Sequence, residues 1–202
     1  MIELQLLASG ITKIAGVDEA GRGPCAGPLV IAAVVLQDPK SEKLSEIRDS
    51  KELTPAKREK LFDVVISESA TYSIIEVGVD EIDSLGLHKC NIEGMRRAIN
   101  ALQIEPEYVL TDGYAIPGLI TPNLAVWKGD QVAISISAAS ILAKVYRDRV
   151  MIELDRNYPG YGLAGHKGYI TKSHTDAIKE LGVLPIHRKS FANIAEIINS
   201  KA

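Results

Sequence analysis

A chain of 202 residues with 46% hydrophobic and 24% charged residues has the proportions of an ordinary globular protein, able to bury a core without disulfides or structural metal. Its two cysteines, Cys25 and Cys90, are far apart and lack any CxxC or Cys/His spacing, which excludes a disulfide framework or zinc site and fits a reducing cytoplasm. A net charge of −3 argues against indiscriminate coating of nucleic acid, no apolar run nears the ~20 residues of a membrane span, and MIELQLLASG lacks the basic start of a signal peptide.

In chain order, residues 12–19 and 28–37 read as two strands joined by the Gly/Pro-rich turn GRGPCAG. The second is a continuous apolar run, as expected of a strand buried on both faces. Thr54-Pro55 is a cap and first-turn signal for a helix through about Ser69. A third strand spans 71–78, and a helical stretch from Asp80 to about Leu102 breaks near Gly86. Short strands at 108–111 and 124–128 end at Asp112-Gly113 and Gly129-Asp130. A long helix covers about Val132 to Asn157, with Ile134, Ala138, Ile141, Leu142 and Val145 at helical spacing. After the loop YPGYGLAGHKG come helices near 171–181 and 190–200. The pattern predicts a single α/β domain: a core over about 1–157, with helices packed on a sheet, and a helical extension over about 158–202.

The stretch from Lys144 to Lys189 holds nine Lys/Arg against five Asp/Glu, and three of the four histidines. Either these charges are scattered on solvated helices, or they form a basic face that steers a polyanion.

Acidic residues recur at strand exits. Asp18 and Glu19 are adjacent, so in a regular strand they point to opposite faces; they can serve one site only where the strand ends and the backbone turns, and Gly21 and Gly23 offer that exit. Taken alone the pair reads equally as a surface turn. Asp112 follows one apolar strand and Asp130 another; the first also suits a turn, the second a helix cap. Together, four carboxylates at three strand ends make an all-oxygen set suited to Mg²⁺ or Mn²⁺. Two such ions serve phosphodiester cleavage. Between Gly21 and Gly23, whose missing Cβ atoms admit close approach of a ligand, Arg22 is placed to clamp a phosphate, unless the segment is a plain connecting turn.

These residues lie in longer strings that resemble the ribonuclease HII family: GVDEAGRGPCAGPLV from Gly16, DSKELTPAKRE from Asp49, LTDG at 110–113, KGD at 128–130, SAASILAKVYRD from Ser137, YPGYGLAGHKGY from Tyr158 and IHRKSF from Ile186. The resemblance implies a ribonuclease H-like mixed sheet flanked by helices, with a C-terminal helical extension. It implies that Asp18, Glu19, Asp112 and Asp130 are the catalytic, metal-binding carboxylates, and that Gly21, Arg22 and Gly23 contact the ribonucleotide beside the cut. It further implies that Tyr169 stacks on the deoxyribose that follows, sensing an RNA-to-DNA junction. The related ribonuclease HIII enzymes differ in lacking the GRG turn.

Other positions join the candidate substrate contacts. Lys51 either reaches the substrate backbone or is simply solvated. Ser137, Ser140 and Lys144 share one helix stripe, which faces the site or permits tight packing; packing is the expectation for Ser140, substrate contact for Ser137 and Lys144. His187 and Arg188 suit phosphate contacts. Cys25 is expected to be a small buried hydrophobe. The expected enzyme is a monomeric cytoplasmic endoribonuclease, using two Mn²⁺ or Mg²⁺ ions. It would hydrolyse the bond 5′ of ribonucleotides in RNA–DNA hybrids and at single ribonucleotides in duplex DNA, leaving 3′-hydroxyl and 5′-phosphate ends. A DNA-junction nuclease and a catalytically dead hybrid-binding protein are the rivals; the GRG turn and Tyr169 oppose the first, the intact acids the second.

Overall fold

The computed structural model describes residues 1–49 and 53–200; Lys51, named above as a substrate contact, lies outside them. The elements run α1 (Ile2–Ala8), β1 (Ile14–Ala20), β2 (Leu29–Leu36), a 3₁₀ segment (Glu42–Asp49), α2 (Pro55–Glu68), β3 (Ser69–Val77), α3 (Val79–Leu85), α4 (Leu87–Asn100), β4 (Tyr108–Asp112) and β5 (Asn123–Val126). They continue with α5 (Gly129–Val132), α6 (Ile134–Asn157), α7 (Leu163–His166), α8 (Lys172–Leu181) and α9 (Ala192–Ser200).

Among the described residues the sheet has five strands, ordered β3-β2-β1-β4-β5. The first three are antiparallel neighbours, while β4 and β5 add in parallel on the other side of β1. Every residue of β2 is buried. Its alternate side chains divide between two layers: Val30, Ala32, Val34 and Leu36 meet α2 and α6, and Leu29, Ile31, Ala33 and Val35 meet α4. Each such side chain contributes about 1.5–3 kcal/mol when fully buried, so this strand anchors both layers.

Local signals explain several boundaries. The Thr54 hydroxyl accepts from Lys57 N–H at 3.3 Å and caps α2. Gly86, at φ +83°, separates α3 from α4 at the predicted break. The start of α6 rests directly on β1, where a Cβ on Gly16 would lie 2.0 Å from the Ser135 carbonyl carbon. The N-cap of α6 is Ala133, which has no capping group; buried Glu3 from α1 instead accepts from Ser135 N–H at 2.9 Å and Ser135 Oγ at 2.8 Å. Sequence reading gave α1 no structural role, because its use depends on a helix more than 120 residues away.

The C-terminal helices dock through Tyr161, Leu163, Ile178, Ile194 and Ile197 onto Met151 of α6 and onto Cys25 and Ala26. Cys25 is buried there, as expected. The extension therefore packs against the loop that follows β1. Among the described residues no helix is long and apolar enough to cross a membrane.

Candidate active site

Asp18 and Glu19 are not at the end of β1, as the alternation argument required; they lie inside it. β1 stays paired with β2 through Ala20, but its pairing with β4 stops at Val17–Thr111. One residue later β4 ends at Asp112. The two parallel strands thus part at their carboxyl ends, the usual place for a ligand in an α/β sheet. Asp18 shares the Gly16 face and bonds to Ser140 of α6; Glu19 shares the Val17 face, beside Asn91 of α4. Both nevertheless line one cleft of about 520 Å³ with Asp112, Gly21, Arg22 and Gly23. The strand edge is open there, so side chains from either face reach it.

The cleft is electrostatically costly. Burial, then the Glu19 and Asp112 charges, holds Asp18 well above the usual carboxylate range, despite bonds from Ser140 and the Glu19 N–H. Burial raises Glu19 to about 7, with Arg22 opposing the rise and Asp112 adding to it. Arg22 Nη1 lies 3.5 Å from Glu19 Oε1, and its guanidinium sits 4.5 Å above the Tyr114 ring. The Glu19 Oε2 atom is buried with no hydrogen-bond partner. Asp112 Oδ1 accepts from Gly129 N–H at 2.8 Å. Asp130 is buried on α5, one residue beyond that donor, and is not among the residues lining the cleft. The structure thus brings three of the four expected acids onto one cleft, while Asp130 does not line it.

This oxygen-only set, with a buried carboxylate oxygen lacking a donor and neighbouring acids that raise Asp18 and Glu19, suits a hard divalent cation. Among the described residues, however, no group of three or more Asp, Glu, His or Cys side chains is already gathered in an arrangement that could hold an ion.

The glycine turn is held from behind by two buried arginines that sequence reading misassigned or missed. Gly21, at φ +98°, admits no side chain, since a Cβ would lie 2.1 Å from Arg147 Nε and 2.8 Å from the Pro28 carbonyl oxygen. Arg147 donates to the carbonyls of Pro28, Lys167 and Ala26 at 3.0–3.1 Å. Arg188 donates to the carbonyls of Gly27, Arg22 and Gly21 at 2.6–3.2 Å. Arg147 extends the Ser137–Ser140–Lys144 stripe by three residues, which was the available signal. Tyr169, half-exposed, packs over Gly23, whose Cβ would lie 3.3 Å from its ring.

The Tyr169 loop is fixed by histidines. Leu184 N–H donates to His187 Nδ1 at 2.8 Å, so the neutral His187 carries its proton on Nε2. That proton points at His174 Nε2, 3.2 Å away, and His174 Nδ1 donates to the Tyr169 carbonyl at 2.9 Å. Burial, then His174, lowers His187 to about 4, and burial lowers His174 also, so this chain of bonds stays neutral.

Three expectations need correction. His187 and Arg188 are 0% exposed and engaged with backbone, so neither meets a phosphate without opening the fold. Ser137 is buried, its hydroxyl donating to the carbonyls of Asp130 at 2.6 Å and Ala133 at 3.0 Å; Ser140, expected only to pack, is the one facing the cleft beside Lys144. Lys144 pairs with Asp148 at 2.8 Å while lining the cleft.

Strand order, the helical layers and the C-terminal helices define a ribonuclease H-like α/β fold. The Ribonuclease HII family model matches residues 15–194. The chain is 50% identical over 196 residues to the ribonuclease HII of Salinispora arenicola, covering 97% of this chain and 73% of that protein. Its structure is similar to ribonuclease H2 from Pyrococcus horikoshii, with a TM-score of 0.83, 32% identity and coverage of 93% and 98% of the two chains. It also shares its fold with Bst-RNase HIII, solved in complex with Mn²⁺, at a TM-score of 0.71 and 18% identity, covering 93% of this chain and 70% of that one. The chain belongs to the ribonuclease HII family, and is an endoribonuclease of the ribonuclease H type.

Proposed function

We propose that this enzyme hydrolyses the phosphodiester 5′ of ribonucleotides, in RNA–DNA hybrids and at single ribonucleotides in duplex DNA, leaving 3′-hydroxyl and 5′-phosphate ends. The observation carrying this reading is the cleft itself: Asp18, Glu19 and Asp112 open onto the same space as Gly21, Arg22, Gly23 and Tyr169. Asp18, Glu19 and Asp112, together with Asp130 of α5, would hold Mg²⁺ or Mn²⁺. Two such ions, when bound, would supply an activated water and offset charge on the departing 3′ oxygen.

The chain's own residues supply selectivity. The Gly21–Gly23 backbone reads the 2′-hydroxyl, which donates and accepts. The carbonyls of Gly21 and Arg22 are kept rigid for this by Arg188. Tyr169 stacks on the deoxyribose after the ribonucleotide, its loop held by Cys25 N–H on the Gly168 carbonyl at 3.0 Å. Lys144 steers a phosphate toward the acids. Lys51 adds a backbone contact in this reading.

The test compares duplexes with and without one embedded ribonucleotide, under Mg²⁺ and under Mn²⁺, and maps the cut. Cleavage confined to the 5′ side of the ribonucleotide is expected; equal cutting of the all-DNA duplex would overturn the reading.

A further inference from the structure

Beyond Asp112 the cleft continues into a second lobe of about 510 Å³. Glu19, Arg22 and Asp112 line both lobes; Tyr169 belongs to the first alone, Trp127 and Lys128 to the second alone. Trp127 is 80% exposed at the end of the edge strand β5. An indole left in water is an unused stacking face, and its backbone is far from loose. Gly113 N–H donates to the Val126 carbonyl at 3.0 Å, and Gly129 N–H to Asp112 Oδ1 at 2.8 Å, so bonds on both sides of Trp127 tie it to the segment bearing the acid. Lys128 takes the left-handed conformation, φ 52°, which a non-glycine residue holds only when its surroundings impose it. Gly129 is closely packed, since a Cβ there would lie 2.5 Å from Ile136 Cδ1 and the Ile136 side chain would have to shift. A rigid, strained turn therefore presents an exposed aromatic and an exposed cation beside Asp112.

Given a polynucleotide cut beside Asp112, as proposed above, we infer that Trp127 and Lys128 form a second nucleotide-binding platform. Trp127 stacks on a sugar or base of the substrate in the second lobe, and Lys128 meets the adjoining phosphate. The occupant follows from continuity with the carboxylate cleft and from chemistry. Aromatic faces stack on any nucleotide irrespective of sequence, and cations beside them, Arg22 over Tyr114 and Lys128, suit a polyanion. Exposed Ile120 and Leu124 nearby would also suit a protein partner, and the experiment separates that outcome.

Trp127 is the chain's single tryptophan, so its emission reports the platform directly. Adding a short RNA–DNA hybrid to the Asp112→Asn full-length protein with Mg²⁺ should quench and shift that emission in step with the anisotropy of a labelled hybrid. In the otherwise wild-type enzyme, Trp127→Ala should raise KM for the hybrid about tenfold, with kcat changed far less, and Trp127→Phe should restore most of the loss. Unchanged emission at saturating hybrid, or a KM within about twofold of wild type in Trp127→Ala, overturns the platform. So does self-association of the wild type that Trp127→Ala abolishes while KM stays the same, which assigns the face to a second copy. If emission responds to hybrid but the wild-type enzyme leaves ribonucleotide-containing duplexes intact, the cleavage reading fails and the platform stands.

Discussion

On the open edge between β1 and β4, Asp18 and Glu19 are buried carboxyls with too few partners: burial and then the Glu19 and Asp112 charges hold Asp18 well above its usual range, and burial with the Asp112 charge raises Glu19 to about 7. Behind the glycine turn, Arg147 and Arg188 are buried as deeply, yet each of their guanidinium nitrogens donates to a backbone carbonyl. The arginines are brackets: they satisfy the carbonyls of a loop that has no regular structure of its own. The acids bear a strain that a bound cation would relieve. Buried charge thus marks a scaffold where its bonds are complete and a reactive site where they are not.

The comparison breaks most visibly at Asp112. Asp112→Asn keeps an oxygen for Gly129 N–H but removes one of the clustered charges. Cleavage with Mg²⁺ or Mn²⁺ should fall on the order of a thousandfold or more, while the melting temperature holds or rises. A variant that lost stability together with activity would place Asp112 with the brackets.

Arg188→Met should do the reverse. Leaving the Gly21, Arg22 and Gly27 carbonyls without their donor costs about 3 kcal/mol, read as a lower denaturant midpoint, and kcat/KM should drop as the turn loosens. Full stability with reduced activity would instead return Arg188 to substrate contact.

A third effect is opposite in sign for the two regions. Glu19 is raised from 4.5 to about 7, so the folded state keeps a proton that the unfolded chain has lost, and stability falls as pH rises through that window. His187 is lowered from 6.5 to about 4, so the unfolded chain takes the extra proton, and stability falls as pH drops from 6.5 toward 4. Melting temperatures between those limits in EDTA should rise more steeply with pH in Glu19→Gln than in wild type, and less steeply in His187→Gln. Parallel curves for all three proteins would show that neither group is linked to folding.

The smallest expected effect separates two serines. Ser137→Ala loses bonds to the Asp130 and Ala133 carbonyls and should cost about 1 kcal/mol of stability. Ser140→Ala loses a bond that lowers Asp18, so the acid limb of the pH–rate profile should move to higher pH. Activity assays across pH on both variants check the distinction.

The sequence by itself determined much. Apolar stretches between turn residues placed the five strands to within a few residues, most clearly β2, since a strand buried on both faces must be apolar throughout. Thr54-Pro55 and Gly86 marked helix ends through local backbone chemistry, and the acids were legible because charge directly after an apolar run is conspicuous in the sequence. Tertiary structure decided what depended on distant partners. Glu3 caps α6 only because α1 folds back beside Ser135. Arg188 is a bracket only because the C-terminal segment closes over Ala26, with which His187 forms a bridge. Whether Ser137 or Ser140 faces the cleft is a matter of how α6 is rotated on β1, and Gly16 sets that contact. Asp18 and Glu19 share one cleft because β4 stops one residue after its last pairing with β1. That is a property of the sheet, and no residue of β1 encodes it.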